Sequence, residues 1–188
     1  MRGRAGRVVT AWIALSLVAL ALDPPGVWLD VPFVRQQKDG CGAASIAMVM
    51  QYWQRQQGRS ATGSEDAETI QRALYSAPAH GIYASDLEHY LGRQGFRTFA
   101  FQGKWDDLKA HLIKGRPLIV ALKPRGKAPL HYVVIAGLDW QQQLVLKNDP
   151  AERKLLKQDR SSFEKEWNAA ANWTLLAVPQ PSGESSSP

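Results

Sequence analysis

Hydrophobic positions fall into short runs separated by polar, Gly- and Pro-marked breaks. Residues 41–57, CGAASIAMVMQYWQRQQ, are apolar nearly all round at first, which predicts a helix buried at the centre of the fold. The chain turns polar at residues 54–63, QRQQGRSATG, and a loop is expected there. Thr62-x-x-Glu65 and Ser85-x-x-Glu88 have the form of capping boxes. They predict one helix running to about Tyr75 and another stopping at Gly95. Residues 104–114 form an amphipathic pattern ended by Gly115, and Ser161-x-x-Glu164 opens a short helix to about Asn168.

The remaining runs read as strands. WLDVPFV, residues 28–34, carries Pro32 and suits a sheet edge. FRTFAF (96–101) alternates, PLIVAL begins at Pro117, and WTLLAVP (173–179) closes the series. HYVVIAGL and QLVLKNDP flank a tight polar turn and read as a hairpin. Helices come first and an antiparallel sheet follows. That is an α+β layout in which a helical N-terminal part packs its central buried helix on the sheet. There are no internal repeats. Residues 22–179 make one domain, and the Pro/Ser/Gly-rich residues 180–188 are expected to be disordered.

The N-terminus changes the picture of charge and location. Arg2, Arg4 and Arg7 precede a 14-residue apolar run from Val8 to Ala21, with no acidic residue before Ala21. Ala19-Leu20-Ala21 fits a small-residue cleavage site, so residues 1–21 read as a secretory signal. If uncleaved, the segment would serve as a membrane anchor, although it is short for a span of about 20 residues. No cysteine stands directly after it, which excludes a lipoprotein anchor. The net charge of +6 falls to +3 without the three arginines, so the mature domain is mildly basic and nothing favours a nucleic-acid partner. Export places the protein in an oxidising compartment. The chain has one cysteine, Cys41, which excludes an internal disulfide and a multi-cysteine zinc site. A buried inert thiol, an intermolecular bridge and a nucleophile remain.

A thiol attacks carbonyls as its thiolate, which helix N-termini favour, and Cys41 opens the predicted central helix. A lone cysteine is otherwise a small buried hydrophobe. A nucleophile needs a base, an orienter for the base and oxyanion donors. His80 lies near a loop, His89 on a helix and His111 on what reads as a solvated helix face; His131 opens the strand HYVVIAG. A hairpin centred on Trp140 pairs Leu146 with Val134, Lys147 with Val133 and Asp149 with His131, where Cβ atoms are about 4.5–5.5 Å apart. The carboxylate would take the imidazole Nδ1–H and leave Nε2 as the base. A slip of one residue would present Asn148 instead. The backbone N–H of Cys41 supplies one oxyanion donor, and Gln36 or Gln37 a second.

These residues bring a family into view. The segments VPFVRQQKDGCGAASIAMVMQYW, DLEHYLGRQGF, GRPLIVALKP and HYVVIAGLD…VLKNDPA, in this order, resemble the bacteriocin-processing, double-glycine leader peptidases and their stand-alone relatives. These are papain-like cysteine peptidases. The similarity covers about Trp28 to Pro179. It implies a papain-like fold with Cys41 as nucleophile, His131 as base, Asp149 as its orienter and Gln36 in the oxyanion hole. It also implies a peptide or protein substrate and no cofactor or metal. Exporter-type members join such a domain to membrane helices and an ATPase; this sequence carries neither such helices nor a G-x-x-x-x-G-K-[ST] phosphate loop. The reading is an exported, monomeric cysteine peptidase, with membrane attachment only through an uncleaved N-terminal segment. Acyl or amide transfer on the same residues, and a peptide-binding module that no longer cleaves, are the rival readings.

Overall fold

The computed structural model describes residues 25–60, 63, 65–124 and 129–181. Residues 1–21, expected to be a signal, Thr62 and residues 182–188 of the tail lie outside them. Among the described residues no helix is long and apolar enough to cross a membrane.

The chain forms β1 (Gly26–Trp28), α1 (Cys41–Gln56), α2 (Ala67–Leu74), α3 (Ala84–Arg93), β2 (Phe96–Gln102), α4 (Trp105–Ile113), β3 (Leu118–Leu122), β4 (His131–Asp139), β5 (Leu144–Asn148), β6 (Leu156–Asp159), α5 (Arg160–Asn168) and β7 (Trp173–Pro179). The seven strands make one sheet in the order β2-β7-β3-β4-β5-β6, with β1 beside β4, and the strand pairs are antiparallel.

Helices cover both faces, and this explains why LIVAL and HYVVIAGL read as unbroken apolar runs instead of alternating. On one face α1, α2 and α3 pack on Ile119, Ala121, Tyr132, Val134 and Ala136. On the other, Leu108 and Leu112 of α4 and Phe163 and Trp167 of α5 pack on Val120, Val133, Ile135 and Val145. Helix α1 is the buried helix the sequence predicts: Ala44, Ile46, Ala47 and Met48 are wholly inaccessible. Its burial fixes the place of its first residue, Cys41.

Several boundaries differ from expectation. The first strand ends at Trp28; Leu29 donates one more bond to Ala136 O, and Pro32, which has no N–H, continues outside the sheet. The helix caps also move. Asp66, not Thr62, caps α2 by accepting from Thr69 N, and Asp159, not Ser161, caps α5 by accepting from Ser162 N. A carboxylate next to the helix start wins in both places, because it accepts the bond and meets the positive end of the helix. Helix α3 starts at Ala84 after Tyr83, with no side-chain cap. β6, which the sequence pattern leaves unassigned, adds an edge strand beyond β5.

The hairpin of β4 and β5 departs most usefully. Near the turn Asp139 faces Leu144, Leu138 faces Val145 and Gly137 faces Leu146; beyond a bulge at Ala136, Ile135 faces Lys147 and Val134 faces Asn148. The expected register, with Asp149 directly across from His131, is therefore incorrect. Continued by one residue, the ladder sets Asp149 across from Val133 and diagonal to His131. The bulge decides which side chain shares the face of His131. Without it the ladder would put Asn148 there; with its one extra residue the alternation turns, and Asp149 takes the place. Gly137 stands beside the bulge where β1 pairs closely with β4: a Cβ on it would meet Val27 O at 2.6 Å.

Candidate active site

Cys41 is the first residue of α1 and is partly accessible. The helix starts at that position because Gly40 precedes it in a non-helical conformation and the loop ahead turns through Asp39, whose φ is 56°. The first residue of β4 brings His131 to the same place, where its imidazole and the thiol are hydrogen-bonding and charge partners. Nε2 of His131 lies 2.7 Å from Oδ1 of Asp149. The nitrogens thus have roles opposite to those the sequence reading assigns. Asp149 takes Nε2, so Nδ1 is the nitrogen left free of the carboxylate.

The electrostatics follow from these neighbours. Burial works against a charged imidazole, but the hydrogen bonds to Asp149 and Cys41, and the charges of both, push His131 up to about 9. Burial would also raise the Asp149 carboxyl. The hydrogen bond and charge of His131, the charge of Lys147 and the N–H of Ala151 outweigh it and hold the carboxyl below its usual range. Burial, with the charge of Cys41 adding to it, pushes the Tyr132 hydroxyl up to about 12. A charged imidazole between a thiol and a carboxylate suits a thiolate–imidazolium pair.

Asp149 sits just past β5 in a turn that its own groups close. Its Oδ1 accepts from Ala151 N at 3.1 Å, and its backbone N–H donates to Arg153 O. The loop before Cys41 is clipped to this turn. Gln36 N donates to Pro150 O at 3.0 Å, and the Arg35 guanidinium donates to Ala151 O and Glu152 O. The arginine is missed by the sequence reading, since a single basic residue in a loop carries no signal of where it docks.

The two glutamines separate. Gln36 lines the cleft that holds Cys41, His131 and Asp149, a cavity of about 650 Å³, and its Oε1 is buried with no hydrogen-bond partner. Gln37 turns away and donates to Glu68 Oε1 at 2.6 Å. Asn148, the alternative orienter, is fully buried and structural: its amide donates to Val31 O and Pro32 O, and its oxygen accepts from Leu155 N. Among the other histidines, His80 lines the cleft and His89 is exposed on α3. His111 is not on a solvated face. It is half-buried beside Phe101 with Nδ1 unpartnered, and burial and the charges of Arg116 and Lys114 hold it below the ordinary histidine range. Among the described residues no group of acidic, His and Cys side chains could hold a metal ion.

Residues 28–174 match the model of the Peptidase_C39 like family. The chain belongs to this family and is a cysteine-type peptidase. The fold agrees. A C39-like peptidase from Bacillus anthracis is similar at 20% identity and a TM-score of 0.64, over 82% of this chain and 98% of that one. A double glycine motif protease from an AMS/PCAT transporter, crystallised with its leader peptide, is similar at 20% identity and a TM-score of 0.63, over 82% and 95%. The cysteine protease xylellain from Xylella fastidiosa is similar at 15% identity and a TM-score of 0.60, over 84% and 87%. No curated protein sequence matches.

Proposed function

We propose that the chain is an exported cysteine peptidase that hydrolyses peptide bonds with Cys41 as nucleophile, His131 as acid and base, and Asp149 as the residue that orients and supports the imidazole. The observation that carries this reading is the 2.7 Å contact of His131 Nε2 with Asp149 Oδ1, on an imidazole that also interacts with Cys41.

The chemistry follows. The Cys41 thiolate attacks the scissile carbonyl. The oxyanion is met by the Cys41 N–H, which the helix start leaves without an intrahelical acceptor, and by the Gln36 side-chain amide. The imidazolium gives its Nδ1 proton to the leaving amine, and the C–N bond breaks to leave a thioester. Water then attacks the thioester while Nδ1 takes its proton, which releases the acid and restores the thiolate. Asp149 keeps the ring in place through both steps and stabilises its charge. Export is supported by the three arginines and the apolar run in residues 2–21.

The test is a digest of a peptide library with the mature protein, beside Cys41→Ala. Cleavage by the first and none by the second is the expected outcome. Equal cleavage, or acyl transfer to added amines in preference to water, overturns the reading.

A further inference from the structure

Lys147 is out of place for the fold. It lies in β5, an interior strand, across from Ile135 on β4 and Leu156 on β6, yet it is only 5% exposed. A lysine buried at a position flanked by apolar partners is costly unless its charge is met. Its Nζ lies 3.5 Å from Oδ2 of Asp149, the oxygen that His131 does not use. Lys147 and Asp149 are two residues apart, so they share the face to which the bulge at Ala136 also brings His131. The other carboxylate oxygen is already committed to His131 Nε2 and Ala151 N.

We propose that Lys147 is a positioning residue: its ammonium anchors Oδ2 of Asp149 from within the sheet and so keeps Oδ1 turned to His131. This deepens the peptidase reading and rests on it. The carboxylate is held from both ends, by a cation fixed in a strand and by the imidazolium it serves. The charge of Lys147 also favours the ionised form of a buried carboxyl. The charged contacts of Asp149 among the described residues are these two, His131 and Lys147. Cys41 acts on it through His131, while Asp39, His80, Glu152, Lys157 and Glu166 line the walls of the same cleft.

The experiment measures the rate of Cys41 alkylation by iodoacetamide against pH, which needs no known substrate. Protonating Asp149 removes the support of the imidazolium, and the thiolate then takes a proton back. In Lys147→Met the acid limb should move up by about one pH unit, since an opposite charge at this range shifts a carboxyl by one to three units. Lys147→Arg should restore most of it. In an Asp149→Asn background, adding Lys147→Met should move the limb no further and should raise the melting temperature, because it removes a buried cation that has lost its partner. Lys147→Gln serves where the methionine variant fails to fold. A limb unmoved by either substitution, or moved equally with Asp149 absent, overturns the proposal. If His131→Ala leaves the wild-type alkylation profile unchanged, the thiolate–imidazolium reading itself falls; a flat response to Lys147 alone removes only this role.

Discussion

Nε2 of His131 lies 2.7 Å from Oδ1 of Asp149 although the two residues stand diagonally across β4 and β5. Diagonal neighbours have Cα atoms about 7–8 Å apart, within reach of an imidazole and a carboxylate that lean towards each other. Asp149→Asn keeps the size of the side chain but loses the charge that supports the imidazolium. It should leave the fold intact and lower kcat by about 10- to 1,000-fold, less than the roughly 10⁴-fold of the equivalent serine-protease change, because a thiolate is a nucleophile without help. Asn148→Ala is the control for the face. It should cost stability, since three hydrogen bonds end on that side chain, without a matching loss of kcat per folded molecule. Activity lost with Asn148 and kept with Asp149→Ala would show that the bulge does not set the working face.

The spacing of His131 and Asp149 around one polar turn was legible because faces alternate strictly in a strand, and a hairpin needs only an even offset to bring two residues to one side. The offset itself was not legible. The bulge at Ala136 sits next to Gly137, which pairs with Trp28 on β1, a strand more than 100 residues earlier. The central helix was legible from its apolar circumference, and its start at Cys41 with it, but the caps of α2 and α5 were not: S/T-x-x-E patterns recur by chance, and Asp66 and Asp159 stood within a few residues of them. Gln36 and Gln37 look identical in sequence. Only the position of Glu68 on α2 takes the second away from the cleft. Lys147 was visible as a charge in a strand, but nothing in the alternation says whether such a residue faces solvent or a carboxylate.

That division between the glutamines makes a second prediction. Gln36→Ala should lower kcat by about 10²- to 10³-fold with little change in KM, the usual loss when one oxyanion donor is removed. Gln37→Ala should leave kcat unchanged and at most loosen the contact between the loop and α2. Steady-state kinetics on a peptide cleaved in the library digest decides it. Equal losses in the two variants would mean that the amide acts on the loop and not on the oxyanion.

The burial of α1 sets the precision with which Cys41 is held. Ile46 is completely inaccessible in the cluster that joins α1 to the sheet. Ile46→Ala should cost about 2–5 kcal/mol of stability, the range for such cavities, as read by urea titration. Cys41 alkylation at low temperature should keep its pH profile. A changed profile without lost stability would show that the helix start, and not the core, adapts to the cavity.

The alkaline side of activity follows from His131, whose imidazolium persists to about 9. In the proposed mechanism the leaving amine takes that proton, so kcat should be level through neutral pH and fall with a midpoint near 9. Iodoacetate and iodoacetamide separate charge from reactivity, because an adjacent imidazolium attracts only the anionic reagent. Their rate ratio should drop several-fold across the same midpoint, while the iodoacetamide rate holds. Stability should follow the same group. A histidine raised above its unfolded value of 6.5 contributes fully below 6.5, and the contribution is lost as pH rises through about 9. The whole loss is on the order of 3 kcal/mol, shared with Cys41 and Asp149 through their coupling. His131→Ala should therefore flatten the decline of melting temperature between pH 6.5 and 9, abolish turnover and slow alkylation at pH 6. A reagent ratio that stays constant from pH 7 to 10 would mean that His131 is neutral across the working range, and that the thiol is deprotonated at the moment of attack instead of beforehand.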